Sequence, residues 1–301
     1  MIVIVLAILK INYRKINPKK YPQTIPFKIL SATNNRVAPT KISFAINLTG
    51  IAYDSAFINY DGFKVPITKQ IDTFSHTYVH PTIRNIVVRL DTTEYHFPTP
   101  INSKDWIAFF KKGPNLPEKM FKKPGKLHID LEKIPIELFN EKDYYVFYQK
   151  FADFKIDADS LTFETKVKNH EGEGGISCYD VSIGVLMELN NKANNVAFNI
   201  LHPSCTEYIH LIAGKTDIGY GGKTAKMPLT PLGIDISEWT NLKFITKNHV
   251  LTIFAKGKQI YQIPYDGPLG KVKMIQIEFK GSGSIDFVKM SNSYTGKLAY
   301  Y

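Results

Sequence analysis

From Ile42 onward apolar side chains fall on every second residue, Ile42, Phe44, Ile46 and Leu48, with polar or small residues between them. That period of two belongs to a strand with one buried and one wet face. Strand-like runs follow at 56–60, 63–67, 83–90 and 94–97, separated by turn residues such as Asp61-Gly62. Short strands at this spacing predict a small β-sandwich over residues 27–106. A second and larger set of strand patterns fills 126–301. Within 161–167, Leu161, Phe163, Thr165 and Val167 point one way and Thr162, Glu164 and Lys166 the other. Alternation returns at Val181, Ile183, Val185, Met187 and Leu189, and again at Val196, Phe198 and Ile200. Helical patterning is confined to a turn or two near 136–142, so the expected fold class is all-β.

Between the two blocks, 107–125 reads as a linker, because Lys111 to Gly125 is dense in Pro, Gly and Lys. Residues 1–26 read as a partial membrane anchor and tether. Ile2 to Leu9 is an unbroken apolar run followed by Lys10, Arg14, Lys15, Lys19 and Lys20. A span needs roughly 20 apolar residues, so the run is expected to be the second half of a membrane helix that begins upstream. The basic cluster on its outer side runs against the positive-inside tendency, and a hydrophobic edge strand is the alternative. Pro18, Pro22 and Pro26 then make 16–26 an extended tether.

Cys178 and Cys205 flank the two alternating runs, and Asn190 to Asn195 between them is turn-forming. A hairpin centred between residues 191 and 192 sets Val185 opposite Phe198, Met187 opposite Val196 and Ile183 opposite Ile200 on one face. The same register sets Cys178 opposite Cys205 on the other face, within bridging reach, and predicts a disulfide. Such bridges persist in oxidising compartments. The pair therefore favours work outside the cytoplasm, against the alternative of two buried thiols.

Composition sharpens this only slightly. A hydrophobic share of 44% with 22% charged residues is that of a globular protein, and 13% aromatics favours strands. A net charge of +11 suits an anionic partner. The lysines are spread along the whole chain, however, with no basic helix or Arg-rich arm, so nucleic acid is not expected as a partner.

Two stretches resemble known families. Ser75-His76-Thr77-Tyr78, followed by Arg84-Asn85-Ile86-Val87-Val88-Arg89-Leu90, resembles the polycystic-kidney-disease (PKD) type of immunoglobulin-like sandwich, with its H-x-Y corner. Asn59-Tyr60-Asp61-Gly62 is a degraded form of that family's turn. The resemblance implies a spacer or contact module, with His76 and Tyr78 as packing residues. Across 126–301 the chain resembles the concanavalin A-like or laminin G-like jelly roll. The stretches that carry this are Trp239 to Ile245, Val250 to Tyr261 with its Lys256-Gly257 turn, and Ile275 to Val288 with Gly281 and Gly283. The resemblance implies that Trp239 packs where a strand enters the sandwich. It also leaves calcium open, since laminin G-type modules often bind it. Fold alone names no function.

Catalytic motifs are missing. Retaining glycoside hydrolysis needs two carboxylates about 5–5.5 Å apart, and no strand carries the Glu-x-Asp-x-Glu pattern that supplies them; no nucleophile elbow, zinc motif or phosphate loop occurs either. His76 and His80 have a metal-like spacing in a non-helical run, and no metal site or other cofactor is expected. A sugar site needs an aromatic platform and fixed polar groups. In 207–212, Ile209 and Leu211 read as core, which leaves Tyr208 and His210 outside. Tyr208, His210, Glu164 and Lys166 are thus the candidate ligand-binding residues, expected on one sheet face. The expectation is a membrane-tethered, extracytoplasmic protein that binds glycan or a cell-surface protein and performs no catalysis. The alternatives are the sensor half of a single-pass signalling protein, and a jelly-roll hydrolase or lyase.

Overall fold

A computed structural model describes residues 28–31, 36–60, 62–112, 116–122, 127, 144–169, 178–190, 192–219 and 228–301. The expected anchor and tether (1–26) and the helical turn near 136–142 lie outside the described residues. Two compact units divide the chain at Lys104/Asp105.

The smaller unit holds β1 (Lys28–Ser31), β2 (Thr40–Asn47), β3 (Ala56–Tyr60), β4 (Phe63–Pro66), β5 (Ile71–Tyr78), β6 (Thr82–Leu90) and β7 (Thr93–Ile101). They form a three-stranded sheet, β1-β2-β5, and a four-stranded sheet, β4-β3-β6-β7. Ile42, Phe44 and Ile46 from one sheet and Ile58, Ile86 and Val88 from the other share one core, as the alternation requires. His76 and Tyr78 do not turn a corner. They lie in β5, where the His76 ring meets Tyr78 edge-on at 4.7 Å and approaches Tyr60 at 5.4 Å. The unit is a β-sandwich, and nothing in it singles out the PKD type.

The larger unit contains β8 (Ile107–Lys112), β9 (Leu116–Lys122), β10 (Tyr144–Phe151), β11 (Leu161–Lys168), β12 (Asp180–Leu189), β13 (Lys192–Leu201), β14 (Leu211–Ala213) and β15 (Thr216–Ile218). It continues with β16 (Thr240–Lys247), β17 (Val250–Ala255), β18 (Lys258–Pro264), β19 (Lys271–Lys280), β20 (Ser284–Asn292) and β21 (Leu298–Tyr300). An eight-stranded sheet runs β15-β14-β13-β12-β19-β10-β8-β9 and a six-stranded sheet β18-β17-β16-β11-β20-β21. Every ladder among these strands is antiparallel. The sheets face each other across Tyr148, Phe198 and Ile277 on one side and Phe163, Phe244 and Met290 on the other. Phe198 meets Phe244 edge-on at 5.8 Å across the gap, a favoured aromatic geometry.

The expected linker at 107–125 is corrected by β8 and β9, which pair with each other and with β10. Ile107, Ala108 and Phe110 are buried, so apolar burial outweighs the Pro/Gly/Lys composition nearby. Pro117 is tolerated because β9 is the outermost strand and the ladder already shifts register there.

Turn chemistry explains the tight hairpins. Asn248 and His249 (φ 53° and 58°) and Lys256 and Gly257 (φ 50° and 78°) all take left-handed backbone, as two-residue hairpin turns demand. Gly283 has a different reason: an added Cβ would sit 2.0 Å from the Phe279 ring. Any side chain there would push Phe279 out of the core.

Candidate functional site

The disulfide between Cys178 and Cys205 is present, with Cα atoms 5.7 Å apart. Its setting differs from the predicted one. The β12–β13 ladder pairs Ile183 with Phe198, Val185 with Val196 and Leu189 with Lys192, a slip of two residues from the expected register. A two-residue slip preserves parity, so every apolar side chain keeps its face. It leaves both cysteines outside the ladder. Cys178 sits before β12 with φ 55°, and Cys205 lies in a 3-10 segment, Pro203–Tyr208, opened by Pro203. Cys205 belongs to the core rather than to the opposite face.

The four candidate residues are split between two sheets. Glu164 and Lys166 project from β11, on the outer face of the six-stranded sheet, in line with the predicted alternation. Tyr208 lies in the 3-10 segment and packs against the core instead of standing on a strand face. His210 sits just ahead of β14, on the eight-stranded sheet, and is nearly buried. Its Nε2 meets Asp217 Oδ1 at 2.6 Å, and its backbone N–H donates to Asn199 Oδ1 at 2.7 Å. The expected single face is therefore corrected: the short 3-10 segment breaks the strand that was to carry Tyr208 and His210.

The open face of the six-stranded sheet has the better-formed constellation. Glu164 accepts from Lys289 at 3.1 Å, Lys166 pairs with Asp286 at 3.4 Å, and Lys168 pairs with Glu238 at 3.6 Å. These exposed pairs contribute roughly 0–1 kcal/mol each, but they hold long side chains in place. Trp239 is the residue that sequence reasoning placed wrongly. It is 44% exposed, because Thr240 next to it points into the core and turns Trp239 outward. Lys166 Nζ lies 5.6 Å from its ring centroid. On the far side of Lys166, its ladder partner Phe287 stacks on Tyr301 at 6.5 Å with planes 24° apart. Lys243, which pairs with Glu164 in the ladder, lies 4.5 Å above Phe254. Aromatic rings thus bracket a charged strip on strands β17, β16, β11 and β20.

A second group of polar side chains occupies the non-core face of the eight-stranded sheet. Strand alternation places Gln276, Glu278 and Lys280 of β19, Asp180 and Ser182 of β12 and Asn199 of β13 there, all buried. Gln149 donates to Gln276, and Gln276 donates to Glu278 at 3.3 Å. Burial pushes the Asp180 carboxyl up to about 6, against the Lys280 backbone N–H, the Lys280 ammonium and the Asn199 amide, which hold it down. The polar alternation 276–278–280 was the sequence signal for this group. Among the described residues no three His, Cys, Asp or Glu side chains gather to hold a metal ion, and no helix is long and apolar enough to cross a membrane.

No protein-family model matches the chain, and no curated protein matches it in sequence. Solved structures of similar fold include a β-glucanase from Bacillus licheniformis, 8% identical, covering 50% of this chain and 71% of that one, TM-score 0.31. A carbohydrate-binding module from Bacillus subtilis is 13% identical over 49% of this chain and 82% of its own, TM-score 0.31. A fructofuranosidase from Schwanniomyces occidentalis is 12% identical over 88% and 58%, TM-score 0.32. The strands and paired sheets described above make the chain an all-β protein of the β-sandwich kind. Glycoside hydrolases and a binding module both occur among these structures; the expectation that the chain is not an enzyme is withdrawn because its own fold gathers acidic side chains on one sheet face. Asp180 and Glu278 project from the same face of neighbouring strands, an arrangement no linear motif reveals.

Proposed function

We propose that this chain is an extracytoplasmic glycan-binding protein and that the glycan lies on the open face of the six-stranded sheet. The observation that carries the reading is Trp239, a large aromatic ring held outward beside Lys166. Leaving an indole in water forgoes its burial energy, and a sugar's apolar face restores it while hydroxyls bond the flanking charges. The disulfide supports an oxidising compartment. In this reading the smaller, PKD-like sandwich is a spacer and the apolar run Ile2 to Leu9 contributes to a membrane tether. Retardation of the whole chain in polysaccharide-containing gels tests the proposal: Trp239→Ala is expected to weaken binding tenfold or more. Unchanged retardation by that variant would overturn it.

A second reading is favoured by one observation, the buried Asp180 and Glu278 on a shared face. It makes the chain a hydrolase acting at the eight-stranded sheet. Release of reducing sugar from a polysaccharide panel, abolished by Glu278→Gln, would establish it.

A further inference from the structure

We infer that the ligand of this face is an extended, uncharged polysaccharide running across the strands, in contact with Trp239, Phe287 and Tyr301. The inference rests on the glycan-binding reading and adds the class of glycan.

Three features of the face point the same way. The first is length. Trp239 leads into β16, Lys166 is on β11, Phe287 on β20 and Tyr301 just past β21, and these strands are neighbours in that order. Three strand spacings span ~14 Å, which is several sugar rings rather than one. The second is shape. Trp239 is 44% and Tyr301 78% exposed, so the rings lie on an open surface and not in a pocket that would clasp a chain end. An extended chain can lay alternate ring faces on such a line; a compact or branched terminus cannot.

The third is charge. The chain carries +11 overall, which by itself suggests an acidic polymer. On this face, however, Lys166, Lys168 and Lys289 are each matched by Asp286, Glu238 and Glu164. Lys243 is drawn over the Phe254 ring beside Glu164. Lys247, at the far end of β16, is drawn over the Tyr294 ring; a uronic acid beside Trp239 and Phe287 meets three carboxylates as well as the other four ammoniums, so its charge gains little. Hydroxyl groups gain more, since carboxylates accept from them and ammoniums donate to them.

Titration calorimetry of the whole chain tests this with neutral β-linked gluco-oligosaccharides of increasing length, and with polygalacturonate as the acidic arm. Affinity is expected to rise about tenfold or more from the disaccharide to the hexasaccharide and to change less than about twofold as salt is raised, because no net charge is neutralised. Phe287→Ala and Trp239→Ala are each expected to flatten the length dependence, with Trp239→Phe restoring most of it. Preference for polygalacturonate with steep loss in salt, or equal affinity at every length, would overturn the inference. If Trp239→Ala still abolished that binding, the face would stand as the site. Failure of every glycan to bind would overturn the glycan-binding reading as well.

Discussion

At the scale of single residues, exposure separates the functional side chains from the structural ones, and sequence pattern reads exposure only where strands are regular. Glu164 and Lys166 were legible because β11 alternates without interruption. Trp239 was not, since it precedes its strand and an indole is ordinarily taken into a core. Asp180 was invisible for another reason: its environment is built by Lys280 and Asn199, distant in sequence. A folded-state pKa of about 6, against 3.8 unfolded, means the folded chain holds a proton that the unfolded chain has released between those values. Stability is then fully supported at low pH and falls as pH rises from about 4 to 6, by roughly 3 kcal/mol at most. Asp180→Asn keeps an oxygen for the Lys280 N–H and removes the titration. Urea unfolding at pH 4 and 7 is expected to show a smaller pH difference in the variant; an unchanged difference would contradict this account of Asp180.

At the scale of elements, strand identity was more legible than register or connection. Alternation found β2, β11, β12 and β13 because period two reports which face is buried, whatever the pairing. The hairpin register was missed by two residues because Asn194 and Asn195 join the ladder instead of the turn. Asn194 is held there by its side chain, which donates to Leu269 O at 3.2 Å. The disulfide survived that error because parity was kept and the segments beyond both strand ends remain close. It closes a stretch with a sequence separation of 27. In the chain-entropy model such a loop contributes about 3–4 kcal/mol. Cys178→Ser with Cys205→Ser is expected to lower the denaturation midpoint of the larger unit accordingly, and reductant is expected to do the same to the native chain only. Equal midpoints with and without the bridge would contradict it. The misread of 107–125 has the opposite cause: a punctuated composition hid a short apolar run that pairs with β10.

At the scale of the whole molecule, the fold class followed from alternation and turn residues, while the working face did not. Both sheets of the larger unit carry polar outer positions, and choosing between them needs side-chain exposure that no sequence period contains. The net charge of +11 also misleads at this scale, because three of the lysines near the exposed aromatics are each paired with a carboxylate. The chain has two tryptophans, and Trp106 is tied to the Tyr300 hydroxyl at 2.8 Å on the core side, while Trp239 stands in water. Trp106→Phe therefore leaves a single fluorescent reporter on the proposed face. Titration of that variant with a soluble neutral β-glucan is predicted to shift Trp239 emission to the blue, saturably, and to shield it from acrylamide quenching. Binding of the glucan, seen by calorimetry on the same sample, with emission and quenching unchanged would contradict the claim that this face holds the glycan.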